Sequence, residues 1–216
     1  MEDEIIILRY LAGIPKYEGN KNFISGATGD EIQKNTNLSP EIIKKVVKKL
    51  YDNNLVKSIP DSSPNNTYKF FYVCITDKGF NKYIYLPERI DDWKKRISNL
   101  YTLVNHWLID QQGYTMKTNN TVNMYEELMQ EYEIEKQSID VADIFKHGKL
   151  ILSIKPVGLW IIGANGRVDL ITKNDSFIMV DVADWQEDPK WTIFKSNDRR
   201  NGQIFSKEIF YELIGN

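Results

Sequence analysis

The segment from Leu38 to Val56, LSPEIIKKVVKKLYDNNLV, constrains the fold more than any other stretch of the chain. Ser39 can accept from the free amides of a first helical turn, Pro40 needs no donor there, and Glu41 suits the positive end of the helix dipole. A helix therefore starts here. Ile42, Ile43, Val46, Val47, Leu50 and Tyr51 recur at one- and four-residue steps, which gives a single stripe for burial. Lys44, Lys45, Lys48 and Lys49 share the opposite face, with no acidic residue read among them. Asp52-Asn53-Asn54 ends the helix ahead of an apolar strand, Leu55 to Ile59.

A chain of 216 residues can hold one large domain or two small ones around a genuine core. Its formal charge is −2, from 28 Lys/Arg and 30 Asp/Glu. Residues 1–86 carry 12 Lys/Arg against 10 Asp/Glu, which leaves 16 against 20 for the remainder. The basic character is local, and a strongly cationic coat for nucleic acid is absent. Cys74 is the single cysteine and lies in an apolar run, so a disulfide framework and a cysteine metal site are both excluded. No apolar run approaches the length of a membrane span, and the acidic start MEDE lacks the basic region of a secretory signal. A cytoplasmic location without membrane contact is the expectation.

In chain order, Glu4 to Leu11 is an apolar helix closed by Ala12-Gly13-Ile14-Pro15. Tyr17 to Ser25 is polar and glycine-bearing, a loop or a surface strand. Ala27 to Gln33 offers a cap and a short helix, and Asn35-Thr36-Asn37-Leu38 turns into the lysine helix. Beyond it, Leu55 to Ile59 and Tyr68 to Thr76 read as two strands of a hairpin around PDSSPNNT, and Asp77-Lys78-Gly79-Phe80 opens another helix.

This order, carried by EIQKNTNLSPEIIKKVVKKLYDNNLV, the hairpin and DKGFNKYI, resembles the winged helix-turn-helix family, including the MarR- and PadR-type transcription regulators, over residues 4–86. The resemblance implies that the lysine helix enters the major groove of double-stranded DNA and that the hairpin tip touches the neighbouring backbone. Ser39, Lys44, Lys45, Lys48 and Lys49 would then face the duplex, with Asn65, Asn66 and Lys69 forming the wing. One departure is that the hairpin carries Asp61 and no arginine at its tip. On a lysine face each ammonium displaces a condensed counterion from a phosphate, whereas lysine pairs four residues apart repel and add nothing to helix stability. Lysine lacks the planar fork that reads bases, so Ser39, Glu41 and the Asn35–Asn37 turn are the better candidates for sequence readout.

The expected class is α+β: a domain over 1–86, a linker or dimerisation helix over 87–112 and an α+β domain over 113–216. Ile90, Trp93, Ile97, Leu100, Val104 and Trp107 alternate at three and four residues, a heptad seam narrow enough for one partner helix, hence a homodimer. Thr121 to Gln137 is acidic and reads as a helix. Lys149–Pro156, Val157–Gly163, Arg167–Thr172, Ser176–Ala183 and Lys190–Lys195 read as strands, and Ser206–Ile214 as a closing helix. Asn165-Gly166 and Lys173-Asn174-Asp175 are turn signals, so the strands form an antiparallel meander. Lys195 to Gly202 reads as a polar loop.

Asp169 on one strand and Asp181 and Asp184 on the next are candidate catalytic carboxylates, because paired strand carboxylates can hold a magnesium ion that activates water. They resemble the PD-(D/E)XK nuclease pattern, with Val104 to Tyr114 as its leading helix, but Ala183 stands where that pattern has its lysine. The structural alternative is that Asp169 and Asp181 sit at strand ends, capping turns or pairing with Arg167 and Lys195. Trp160, Phe177, Trp185, Trp191, Phe194, Phe205, Phe210 and Tyr211 would line a ligand pocket or fill the core of a small sheet. His106 and His147 have no ligand-spaced companions, so no metal or cofactor is expected outside the nuclease alternative. Three readings follow: a dimeric DNA-binding regulator whose C-terminal domain senses a small molecule or a protein partner, a magnesium-dependent nuclease of a mobile element or defence system, and a protein-interaction scaffold.

Overall fold

Capping chemistry sets the first elements of the computed structural model, which describes residues 2–14 and 26–215. The expectation for Tyr17 to Ser25 lies outside the described residues. Helix α1 spans Glu2–Ala12. Helix α2, Gly29–Thr36, opens on a capping box in which Thr28 Oγ1 accepts from the Glu31 amide and the Glu31 carboxylate accepts from the Thr28 amide. It ends on Asn37, whose φ of 57° is the left-handed conformation that turns the chain into the next helix. Helix α3, Pro40–Asp52, starts on the Ser39 cap with Pro40 in its first turn.

Strands β1 (Val56–Pro60) and β2 (Phe70–Ile75) form an antiparallel hairpin, followed by α4 (Asp77–Phe80). Ile7, Leu8, Ile32, Ile43, Val47, Leu50, Phe70 and Val73 build the core of this first unit, Met1–Glu88. Four of the six stripe residues of α3 are buried. Ile42 and Tyr51 are exposed instead, because they flank the buried arc of the helix.

A π-helical turn at Asn81–Tyr85 leads into α5, Leu86–Leu108. From Arg89 the chain belongs to the second unit, Arg89–Asn216. Its seven strands are β3 (Tyr114–Met124), β4 (Gln137–Lys146), β5 (Lys149–Gly158), β6 (Arg167–Thr172), β7 (Ser176–Asp181), β8 (Trp191–Lys195) and β9 (Asp198–Ile204). They pair antiparallel in sequence order, so the unit is α+β with a seven-stranded meander. Helix α6, Glu127–Glu131, lies in the β3–β4 connection, and α7, Lys207–Leu213, closes the chain.

The heptad seam of α5 has a different partner from the one its spacing suggests. Ile90, Trp93, Ile97, Leu100 and Val104 are buried in one cluster with Ile144, Leu152, Ile154, Val168, Leu170 and Met179 of the sheet. Trp107, half-buried, stacks obliquely on Phe205 and Phe210, each ring centroid 5.5 Å away. The stripe thus lies on the sheet and, at Trp107, on α7 of its own chain, so that α5 contributes to the core of the second unit.

Four further expectations are corrected. Thr121 to Gln137 is not one helix: residues 121–124 end β3, with Val122 and Met124 alternating inward at the period of two, and the helical part is the short α6. Val157 to Gly163 is the end of β5 and an irregular connection, and Asn165-Gly166 is no two-residue hairpin, since Gly158 pairs with Arg167 across the whole connection. Gly166 is required for another reason: its φ is 136°, and a Cβ there would stand 2.3 Å from the Trp93 ring. Two-residue hairpins stand at His147-Gly148, both at positive φ, between the paired Lys146 and Lys149, and at Ser196-Asn197 between the paired Lys195 and Asp198. Finally, the polar stretch after Lys195 is strand β9, a sheet edge with no buried side to leave a pattern.

A charge on the α5 stripe has no aqueous route. Ile97→Asp is expected to lower the stability of the second unit by about 3 kcal/mol or more, read as a shift of the urea midpoint, whereas Ser98→Asp on the exposed side stays within about 0.5 kcal/mol.

Candidate nucleic-acid interface

Burial of Ile43, Val46, Val47 and Leu50 turns the opposite side of α3 to solvent, and Lys44, Lys45, Lys48 and Lys49 are all exposed there. The face is not free of carboxylates, which corrects the reading of the sequence. Lys49 Nζ donates to Glu4 Oε1 of α1 at 2.5 Å, and Lys48 lies 3.6 Å from Asp52 Oδ2 one turn on. The second pair has both groups in water and is worth little. Lys44 and Lys45 have no ion-pair partner among the described residues. Ser39 is committed to its cap, accepting from the Ile42 amide at 3.4 Å. Asn35 donates to Glu31 O and the Tyr10 hydroxyl, which ties the α2–α3 turn to α1.

The hairpin loop is organised by the residue that departs from the family pattern. Asp61 is 8% exposed, accepts from the Ser63 amide at 2.8 Å and from Asn66 Nδ2 at 2.6 Å, and so turns its charge into the loop. Asn66 donates also to Phe70 O and accepts from the Tyr68 and Lys69 amides, which leaves its amide no capacity for a ligand. Asn65 and Lys69 are exposed; the Lys69 ammonium reaches Ser63 O at 3.1 Å. Of the wing residues named from sequence, Asn65 and Lys69 remain available and Asn66 is structural.

The carboxylates of the second unit do not assemble a metal site. On β6, Val168 and Leu170 face the core and Asp169 the other side; on β7, Asp181 shares the core-facing parity of Met179. The two side chains therefore leave the sheet on opposite faces. Asp169 is held by Arg167 through Nε at 2.8 Å and Nη2 at 3.1 Å, as the structural alternative expected. Asp181, fully buried, meets Arg96 Nη1 at 2.5 Å and not Lys195; its other oxygen accepts from the Ala183 and Lys190 amides. Asp184 is exposed. No group of three or more His, Cys, Asp or Glu side chains is placed for a metal among the described residues.

What the sequence did not reveal is the network around that aspartate. Arg96 also donates to Asp92 at 2.7 Å and to Glu187 O, and Arg89 shares Asp92 and reaches Asn165 Oδ1 at 2.8 Å. Asn165 Nδ2 closes the ring on Ala183 O. Burial disfavours the Arg96 charge, and the two carboxylates more than offset it. Arg89, Asp92 and Arg96 stand three and four residues apart beside the seam, a charged trio on a buried flank, and that spacing was the available signal. Among the aromatics, Trp191, Phe205 and Phe210 fill the core, while Phe177 and Phe194 line a groove of about 400 Å³ between β8, β9 and α7.

No family model matches this chain, and no curated protein or solved structure matches it either. No helix among the described residues is long and apolar enough to cross a membrane.

Two outcomes follow. Asp181→Ala leaves the Arg96 guanidinium buried without its partner and is expected to cost about 3–5 kcal/mol by urea unfolding, much of it recovered by Arg96→Met with Asp181→Leu. The hydrogen bond from Lys49 holds the Glu4 carboxyl below its usual range. A depressed carboxyl contributes stability above its unfolded value, near pH 4.3, and loses it as the pH falls through the folded value. Glu4→Gln should flatten the acid limb of stability between pH 6 and pH 3, by no more than about 1 kcal/mol for so exposed a partner.

Proposed function

We propose that the first unit is a winged helix-turn-helix domain that binds duplex DNA, with α3 as the helix laid in the major groove and the β1–β2 hairpin against the adjoining backbone. The single observation that carries this reading is the exposure of Lys44 and Lys45, without carboxylate partners among the described residues, on the side of α3 directed away from its buried stripe. Such ammonium groups bind phosphates by releasing counterions, a gain that needs no fixed geometry and suits lysine. Lys48 joins them, because a phosphate competes readily with a solvent-exposed Asp52. Lys49 is reserved for Glu4 and stands outside the contact set.

The helix-turn-helix order of α2 and α3, locked by the left-handed Asn37 and the Ser39 cap, supports the same reading. DNA binding of this kind is the activity of a transcriptional regulator. Because the α5 seam is buried within the chain, the proposal does not require two copies meeting there. The second unit then serves a partner or a ligand, and its satisfied carboxylates support a structural role over hydrolysis.

Lys44→Glu with Lys45→Glu is expected to weaken binding to duplex DNA by about 10-fold or more and to reduce the slope of log K against log salt by about 2, measured by fluorescence anisotropy at several salt concentrations. The unfolding midpoint should stay within about 0.5 kcal/mol of the parent. Unchanged affinity and slope would remove α3 as the reading helix. Glu4→Gln, which releases Lys49, should instead tighten binding severalfold.

A further inference from the structure

The hairpin that the proposed function assigns to the DNA backbone carries a feature which backbone contact leaves unexplained. Ile59 pairs with Tyr72 and Pro60 with Phe70, so Phe71 is an extra residue without a cross-strand partner. Pro60 has no amide to donate to the ladder, which is where a bulge is tolerated. The bulge aims Phe71 outward: it is 52% exposed, beside the exposed Tyr72 and Ile59. Such aromatic exposure on a short hairpin does not serve this core, whose hairpin anchors are Phe70 and Val73.

Phe71 is also one wall of a groove of about 420 Å³ between the hairpin loop and the start of α2. Its floor is Tyr68, nearly buried, whose hydroxyl lies 2.7 Å from Gln33 Oε1 and 3.1 Å from Asp30 Oδ1 and shares its one proton between them. The Asn65 amide and the Thr67 hydroxyl line it and have no hydrogen-bond partner among the described residues. Asp30 Oδ2 likewise keeps its acceptor capacity. Lys69 stands exposed in the same loop. An aromatic face, a small set of uncommitted donors and acceptors, and a cation at the rim together match one ligand chemistry: a nucleobase on its sugar-phosphate strand.

We propose that this groove takes a single unpaired nucleobase carrying an exocyclic amine. The base stacks on Phe71, its amine donates to Asp30, and Asn65 reads the remainder of its edge, while Lys69 meets the neighbouring phosphate. A carboxylate at the base edge accepts from an exocyclic amine, whereas thymine offers only its N3–H, flanked by two carbonyl oxygens that repel the carboxylate, so the amine-bearing bases are favoured over thymine. The inference rests on the duplex reading of α3 and adds to it a preference for DNA that holds an unstacked base beside the duplex, which no property of the lysine face supplies.

The test compares the full chain on a fully paired duplex and on the same duplex with one bulged adenine, by fluorescence anisotropy, and repeats the second with 2-aminopurine in the bulge. The expected result is a preference of about 10-fold for the bulged duplex, with quenching of the 2-aminopurine fluorescence on binding. Phe71→Ala abolishes both, Phe71→Tyr retains both, and a bulged thymine binds as the paired duplex does. Equal affinity of the parent for the two duplexes, or a preference that survives Phe71→Ala, overturns the base site while leaving the α3 reading intact. A bulge preference that persists while Lys44→Glu with Lys45→Glu has no effect overturns the α3 reading and keeps the base site. Binding to neither DNA overturns both.

Discussion

A helix can bury one stripe, and the choice of what covers it decides what the other side can do. Both long amphipathic helices obey this constraint with opposite consequences. Helix α3 gives Ile43, Val46, Val47 and Leu50 to the first core, and its lysines stand exposed, Lys49 against Glu4. Helix α5 gives Ile90, Trp93, Ile97, Leu100 and Val104 to a seven-stranded sheet, and nothing of that stripe remains for a second chain. The burial of an apolar side chain is worth about 1.5–3 kcal/mol, whereas an exposed ion pair is worth about 1 kcal/mol or less. The apolar stripes therefore fix the orientation of each helix, and the charges follow.

Much of the local structure was legible because it is written in residues whose chemistry acts over three or four positions. Ser39 and Pro40 start α3, Asn37 stops α2, and Lys173-Asn174-Asp175 turns β6 into β7 with the Thr172 hydroxyl bonded to the Asp175 backbone. Identity of a long-range partner was not legible by the same means. A spacing of three and four residues states that the α5 stripe is covered and is silent on whether a helix or a sheet covers it. The edge strand β9 left no trace, since neither of its faces is buried. Asn165-Gly166 shows how a strong local signal misleads: glycine there accommodates the Trp93 ring, and the asparagine bridges Arg89 to Ala183.

The carboxylates make the same point about sites. Asp169 and Asp181 look paired in sequence because they sit on consecutive strands, yet the alternation of a strand sends them to opposite faces. Asp181 then finds Arg96, 85 residues away, and its oxygens accept from one guanidinium and two amides. A carboxylate so enclosed has its charge compensated and its lone pairs directed. It stabilises a specific arrangement of helix on sheet and offers little to a metal or a water molecule. Buried and satisfied, the network reads as architecture, although the residue types alone suggested chemistry.

Charge in the first unit is sorted by the same logic. The near balance of the chain as a whole says little about any one surface, because two carboxylates of this unit, Asp61 and Glu4, are directed inward while Glu41 and Asp52 stay exposed. Asp61 folds under its own loop to hold Ser63 and Asn66, and Glu4 lies at the α1–α3 contact against Lys49. Each removes a negative charge from the outer surface, while Lys69 and Lys44 stay exposed. A modestly charged chain thereby presents a positive helix face and a positive loop without a high isoelectric point. The potential an approaching polyanion meets within a Debye length is set by these exposed groups and not by the total. Reading such a surface from composition fails for that reason, and reading it from the partners of each carboxylate succeeds.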